Sequence, residues 1–384
     1  MYKRLVRFVR DIYQTNDFIP LHAPLFNGDE KKYLSQAIDS TFVSSVGNLV
    51  NEFEKSIMTF TNSAYAIAII NGTSALHLAL EIAGVKENTE VLTQSLTFVG
   101  TCNAIRYCGS EPIFIDVDKN TLGLSPSSLI AFIDENCELR NDGFCWNKKT
   151  NKKIIACVPM HTFGFPADCL KIKKICSQFN IQLIEDAAES LGSTYQNKHT
   201  GTFGEMGILS FNGNKIITTG SGGMILTNNN EIAHKAKHLS STAKLNHPWE
   251  FNHDEVGYNY RLPNLNSALG IAQMQKLKGF VQFKRSLAKK YQMWGKENGL
   301  FFLTEPRNTN SNYWLNTIIT ENSKEKEQLL LNVNKMNVMV RPAWRPMHML
   351  KIYEHCQKNS LQNTEFLYDR IVNVPSSVSN NNIF

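Results

Sequence analysis

The chain has 384 residues, 42% hydrophobic and 19% charged, enough apolar material for one large domain and a smaller one. Its formal charge of +6 comes from basic residues spread along the chain, which excludes a massed nucleic-acid surface and suits a small anionic substrate. The eight cysteines show neither a CxxC pair nor framework spacing, and no run reaches membrane-span length, so the expectation is a cytoplasmic protein with reduced thiols and no integral membrane segment.

The first 24 residues open MYKRLVRFVRDIYQ, where Leu5, Val6, Phe8, Val9, Ile12 and Tyr13 share one helix face. Without an unbroken apolar stretch or a cleavage site they read as a helical arm packed on the body or on a partner subunit, not as a signal peptide. From about residue 60 to 230, short apolar runs alternate with helical patterns. AYAIAII (64–70) precedes TSALHLALEIAGV, EVLTQSLTF (90–98) precedes TCNAIRYCG, and EPIFIDVD (111–118) precedes PSSLIAFIDEN. KIIACVPM (153–160) precedes ADCLKIKKICSQFN, and IQLIEDAAE, GILSFN and GMILT follow. This alternation predicts βαβ units and an α/β fold with a mostly parallel central sheet flanked by helices. FCWNKKTNKKII reads as a hairpin tip within it. Beyond about residue 250 come a long helix near 264–298, a strand in NYWLNTII, a helix near 325–336 and a strand in NVMVRP. The predicted division is an arm (1–24), a large domain (25–250) and a smaller α+β domain (251–384) ending in the polar tail SSVSNNN.

In such sheets ligands bind at the carboxyl ends of strands. Four of those ends carry polar or aromatic groups. Asn71-Gly72-Thr73-Ser74, between strand and helix, is a phosphate cradle or an ordinary helix cap. Asp186 ends an apolar run, where a buried carboxylate needs a partner such as a protonated ring nitrogen; capping the next loop is the alternative. Phe98 offers a plane for stacking, or is a core residue. Ser210 ends another strand, and Lys215 follows on a loop of small polar residues that does not fit a Walker pattern. A lysine with a lowered pKa forms a Schiff base with an aldehyde. A cradle, an aromatic plate, a carboxylate and an amine together describe one molecule, pyridoxal 5′-phosphate.

The ordered motifs IPLHAPLFNGDE, NGTSALHLAL, TFVGTCNAI, HTFGFPAD, EDAAESLGS, SFNGNKIITTGSGGM and VGYNYRLPNLNSALG span nearly the whole chain. They resemble the DegT/DnrJ/EryC1/StrS family of pyridoxal-phosphate-dependent nucleotide-sugar aminotransferases, which have the fold-type-I architecture. TFVSSVG, NGNKIITTG and VRPAWRPMH are most similar to its LegC/PglE-type branch, which aminates C4 of a nucleotide-linked 4-keto-6-deoxy sugar. The resemblance implies that Lys215 is the Schiff-base lysine and proton shuttle, that Asp186 pairs with the pyridinium nitrogen, and that Phe98 stacks on the ring. It implies phosphate binding by Gly72, Thr73, Ser74 and Ser210. Asn259 reaches the cofactor of a partner subunit, which makes a homodimer with shared active sites. Glu189 stands near the cofactor ring where many relatives carry glutamine. His161, Arg261 and His348 are the substrate-side candidates. L-glutamate is the implied donor and no metal is implied. A histidine in place of the lysine would mark a dehydratase of the same fold, and loss of the cofactor residues a catalytically idle relative; neither departure is present.

Overall fold

The computed structural model describes residues 1–379; the end of the polar tail, 380–384, lies outside the described residues. Seven strands form the main path of the central sheet, in the spatial order Tyr65–Ile69, Gly223–Thr227, Met206–Ser210, Gln182–Asp186, Lys152–Val158, Thr89–Gln94, Glu111–Ile115. All run parallel except Gly223–Thr227, which is antiparallel to both neighbours. The FCWNKKTNKKII hairpin is present, with Cys145–Asn147 pairing antiparallel to Lys152–Val158.

Both faces of the sheet are buried, which is why its strands read as continuous apolar runs rather than alternating ones. Ile184 and Ile208 face helices Gly72–Ile82, Val99–Tyr107 and Asn230–Ser240. Leu183, one residue out of phase with Ile184, packs with helices Pro126–Asn136 and Cys169–Gln178 on the other side. Leu209 likewise joins Phe53, Ile57 and Ile271 of helices Asn48–Thr61 and Asn264–Asn298.

The 35-residue helix Asn264–Asn298 runs from that core into a second one. There Phe283, Leu287 and Tyr291 pack on a four-stranded antiparallel sheet of Phe301–Phe302, Asn316–Ile319, Ile371–Val374 and Arg341–Pro342. The arm helix, Tyr2–Tyr13, buries Leu5, Val6, Val9 and Ile12 in the same cluster, and Phe8 stacks on Trp294 at 5.0 Å. Its apolar face is therefore used up on the body of the protein. All eight cysteines are buried and unpaired. Among the described residues no helix is long and apolar enough to cross a membrane.

Candidate active site

The strands ending at Ile69, Gln94, Asp186 and Ser210 are mutually parallel, so their carboxyl ends share one sheet edge. At that edge lies a cavity of about 300 Å³, lined among others by Gly72, Thr73, Phe98, Asp186, Glu189, Ser210 and Lys215. That size is at the lower end of the roughly 300–1,000 Å³ occupied by small-molecule sites. The four strand ends singled out from the sequence converge.

Asn71 caps helix Gly72–Ile82, its Oδ1 accepting from Ser74 N at 2.8 Å. The amides of Gly72 and Thr73, at the positive end of the helix dipole, have no acceptor among the described residues. A side chain on Gly72 would meet Ser210 Cβ at 3.1 Å and Oγ at 3.3 Å, so glycine keeps the Ser210 hydroxyl and these amides open to an anion. Ser74 itself is not on the cavity wall; its amide is spent on the Asn71 cap.

Asp186 is buried, with Thr101 Oγ1 donating to Oδ2 at 2.7 Å and Ala188 N to Oδ1 at 3.1 Å. Thr101 sits one turn after Phe98 on the helix that Phe98 opens, a spacing that would have found it. Phe98 is half-exposed and lies edge-on to Trp344 at 6.1 Å.

Lys215 Nζ lies 3.1 Å from Glu189 Oε1 and 4.1 Å from the centre of the Trp314 ring. Trp314 Nε1 donates to Asn214 O at 2.8 Å, tying the lysine loop to the smaller body. Glu189 Oε2 accepts from Phe163 N at 2.9 Å, and Phe163 is held at φ 55, a left-handed conformation unusual for an aromatic residue. Burial pushes the Glu189 carboxyl up to about 7, against the pull of the Lys215 charge. Trp314 and Trp344 were missed from sequence, which carries no signal that the smaller body closes over this edge.

The substrate-side candidates are placed elsewhere. His161 is fully buried: Ala167 N donates to its Nδ1 at 3.0 Å, which leaves Nε2–H to donate to Glu185 Oε2 at 3.0 Å. Met160 bridges to Asp186 and lines the cavity, so His161, one residue on, turns to the opposite face. His348 is buried with Nδ1 2.8 Å from Ser95 Oγ. Arg261 bridges to Ile69 and Asn259 is exposed beside Ser241; neither lines this chain's cavity.

A family model described as the DegT/DnrJ/EryC1/StrS aminotransferase family matches residues 25–382. The chain belongs to that family. It is 36% identical over 371 residues to a GDP-perosamine synthase of Escherichia coli O157:H7, covering 95% of this chain and 96% of that one. It is 32% identical to a GDP-perosamine synthase of Vibrio cholerae, covering 93% and 94%. Among solved structures, a DegT DnrJ EryC1 StrS aminotransferase from Brucella abortus superposes with a TM-score of 0.82 at 25% identity, covering 90% of each chain. Helicobacter pylori PseC shares the fold with a TM-score of 0.84 at 23% identity, covering 94% of each. As a DegT-family aminotransferase the protein depends on pyridoxal 5′-phosphate, and the open cradle, the restrained Asp186 and the inward Lys215 fit that group.

Proposed function

We propose that the protein moves an amino group from L-glutamate to C4 of a nucleotide-linked 4-keto-6-deoxy sugar. Its substrate is UDP-2-acetamido-2,6-dideoxy-4-keto-glucose, and its product serves bacterial surface glycan synthesis in the cytoplasm. The observation that carries the reading is the single cavity in which Lys215, Asp186, Phe98 and the cradle at Gly72 and Ser210 meet.

When bound, pyridoxal phosphate supplies an aldehyde that carries the amino group and a ring that takes up the charge left when a C–H proton is removed. The chain's own residues do the rest. The amides of Gly72 and Thr73 with the Ser210 hydroxyl hold the phosphate, and Phe98 offers its face to the ring. Asp186, steadied by Thr101, keeps a proton on the ring nitrogen. Lys215 takes up and returns protons at Nζ from a position 13% exposed, where water competes little. Asn259 serves the site of a second subunit, so the working unit is a homodimer with shared sites.

The UDP sugar rests on the resemblance of TFVSSVG, NGNKIITTG and VRPAWRPMH to C4 aminotransferases that act on it. A second reading, GDP-4-keto-6-deoxymannose giving perosamine, is favoured by relatives named GDP-perosamine synthase at 36%, 32% and 32% identity. Incubating the purified protein with L-glutamate and each keto sugar, and following 2-oxoglutarate, separates the two. Turnover of the GDP sugar alone overturns the first choice, and turnover of neither overturns both.

A further inference from the structure

The aminotransferase reading leaves Glu189 without a task, although it is the carboxylate that touches the reactive amine. Its side chain is 1% exposed, and its two oxygens are divided between partners: Oε2 on the Phe163 amide, Oε1 on Lys215 Nζ at 3.1 Å. The strained backbone at Phe163 fixes which oxygen is free for the lysine. A glutamine here would keep the shape and one of the two accepted hydrogen bonds, but could not accept a proton.

We propose that Glu189 and Lys215 form a one-proton couple: whenever Lys215 must become a neutral amine, its ammonium proton passes to Glu189 Oε1 and later returns. An N–H bond breaks and an O–H bond forms, ammonium and carboxylate becoming amine and carboxylic acid. The net charge of the pair stays zero, so no solvent acid or base is needed in a site that admits little water. The inference rests on the aminotransferase reading above.

The surroundings support it. Burial is the largest influence on Glu189 and raises its pKa to about 7; Lys215 is the largest influence lowering it, and Asp186 pushes it up again. Once Lys215 loses its charge, the restraining influence is gone and the carboxyl holds a proton more tightly, which is what a one-proton couple requires. The other titratable groups at hand are His22 and Lys284, both against Trp314. Burial lowers the pKa of each well below its ordinary value, which weakens the charge that either brings beside the pair.

Infrared difference titration of the whole protein, wild type against Glu189→Gln, reads the carboxyl directly. The couple predicts a protonated-carboxyl stretch growing in as pH falls through about 7. In Lys215→Ala it should grow in about one pH unit or more higher. A stretch that appears only with ordinary carboxyls, or that ignores the loss of Lys215, overturns the couple. Wild type against Lys215→Ala gives the same information if Glu189→Gln does not fold. In cofactor-loaded protein, the rate at which L-glutamate bleaches the visible band should lose its near-neutral pH limb in Glu189→Gln and regain one in Glu189→Asp. An identical pH profile in Glu189→Gln would leave the residue a structural anchor. Wild type that forms no visible band would sink the aminotransferase reading instead, and the infrared titration still decides the pair.

Discussion

Replacing Glu185 by glutamine tests what holds the Asp186 strand end in place. Glu185 Oε1 accepts from Phe203 N at 2.6 Å and Gly204 N at 2.8 Å, while Oε2 accepts from Gly201 N at 2.8 Å and His161 Nε2 at 3.0 Å. Burial alone would raise its pKa, yet His161 and the amides hold it below the ordinary 4.5. A glutamine has one acceptor oxygen, so its NH₂ must face two N–H donors on one side or the other. Two buried donors left unmade, at about 1–3 kcal/mol each, give a loss of about 2–6 kcal/mol. The group is fully buried, so solvent screening takes nothing off this figure. The assay is urea unfolding of cofactor-free protein at neutral pH, wild type against Glu185→Gln. Because the folded pKa is depressed, this stabilisation is present above the unfolded value and lost as pH falls through the folded one. The difference between the two proteins should therefore shrink in acid. A loss below about 1 kcal/mol, within the worth of one ordinary hydrogen bond, would refute the reasoning.

Thr101→Val removes the hydroxyl that donates to Asp186 at 2.7 Å and should cost about 1.5–3 kcal/mol, the worth of a hydrogen bond to a charged group, in the same unfolding assay. Gly100→Ala places a methyl 2.9 Å from Thr73 Oγ1 and 3.0 Å from the Phe98 ring. Cofactor titration by absorbance should then show binding weakened about tenfold, or ~1.4 kcal/mol, with the circular dichroism of the fold unchanged. Lys284 is fully buried on the carbonyls of Trp314 and Ser376, and burial lowers its pKa well below 10.5. The unfolded chain binds the extra proton between those two values, so wild-type stability should rise with pH up to about 10.5, and Lys284→Met should abolish that rise.

Most strands were legible because a sheet buried on both faces favours short unbroken apolar runs, and 64–70, 112–115 and 154–158 supply them. The reversal of Gly223–Thr227 was not legible, since a five-residue apolar run carries no direction. Convergence of Gly72, Phe98, Asp186 and Ser210 followed from parallel strands sharing an edge. His161 shows where that argument stops. It follows a strand at the correct end, but a period of two decides which face a residue takes, and the register of Met160 with Asp186 turns His161 toward Glu185. Trp314 lies beyond local reasoning altogether: about a hundred residues separate it from Asn214, and only packing of the two bodies brings them together.

The central claim is that Lys215 is the reactive amine of a glutamate-dependent aminotransferase. Its most direct test is the visible spectrum of purified protein with pyridoxal phosphate, before and after addition of L-glutamate. The wild-type protein should show a yellow band that bleaches with L-glutamate and is absent in Lys215→Ala. A yellow protein indifferent to glutamate would contradict the donor assignment, and a colourless one would contradict the site itself.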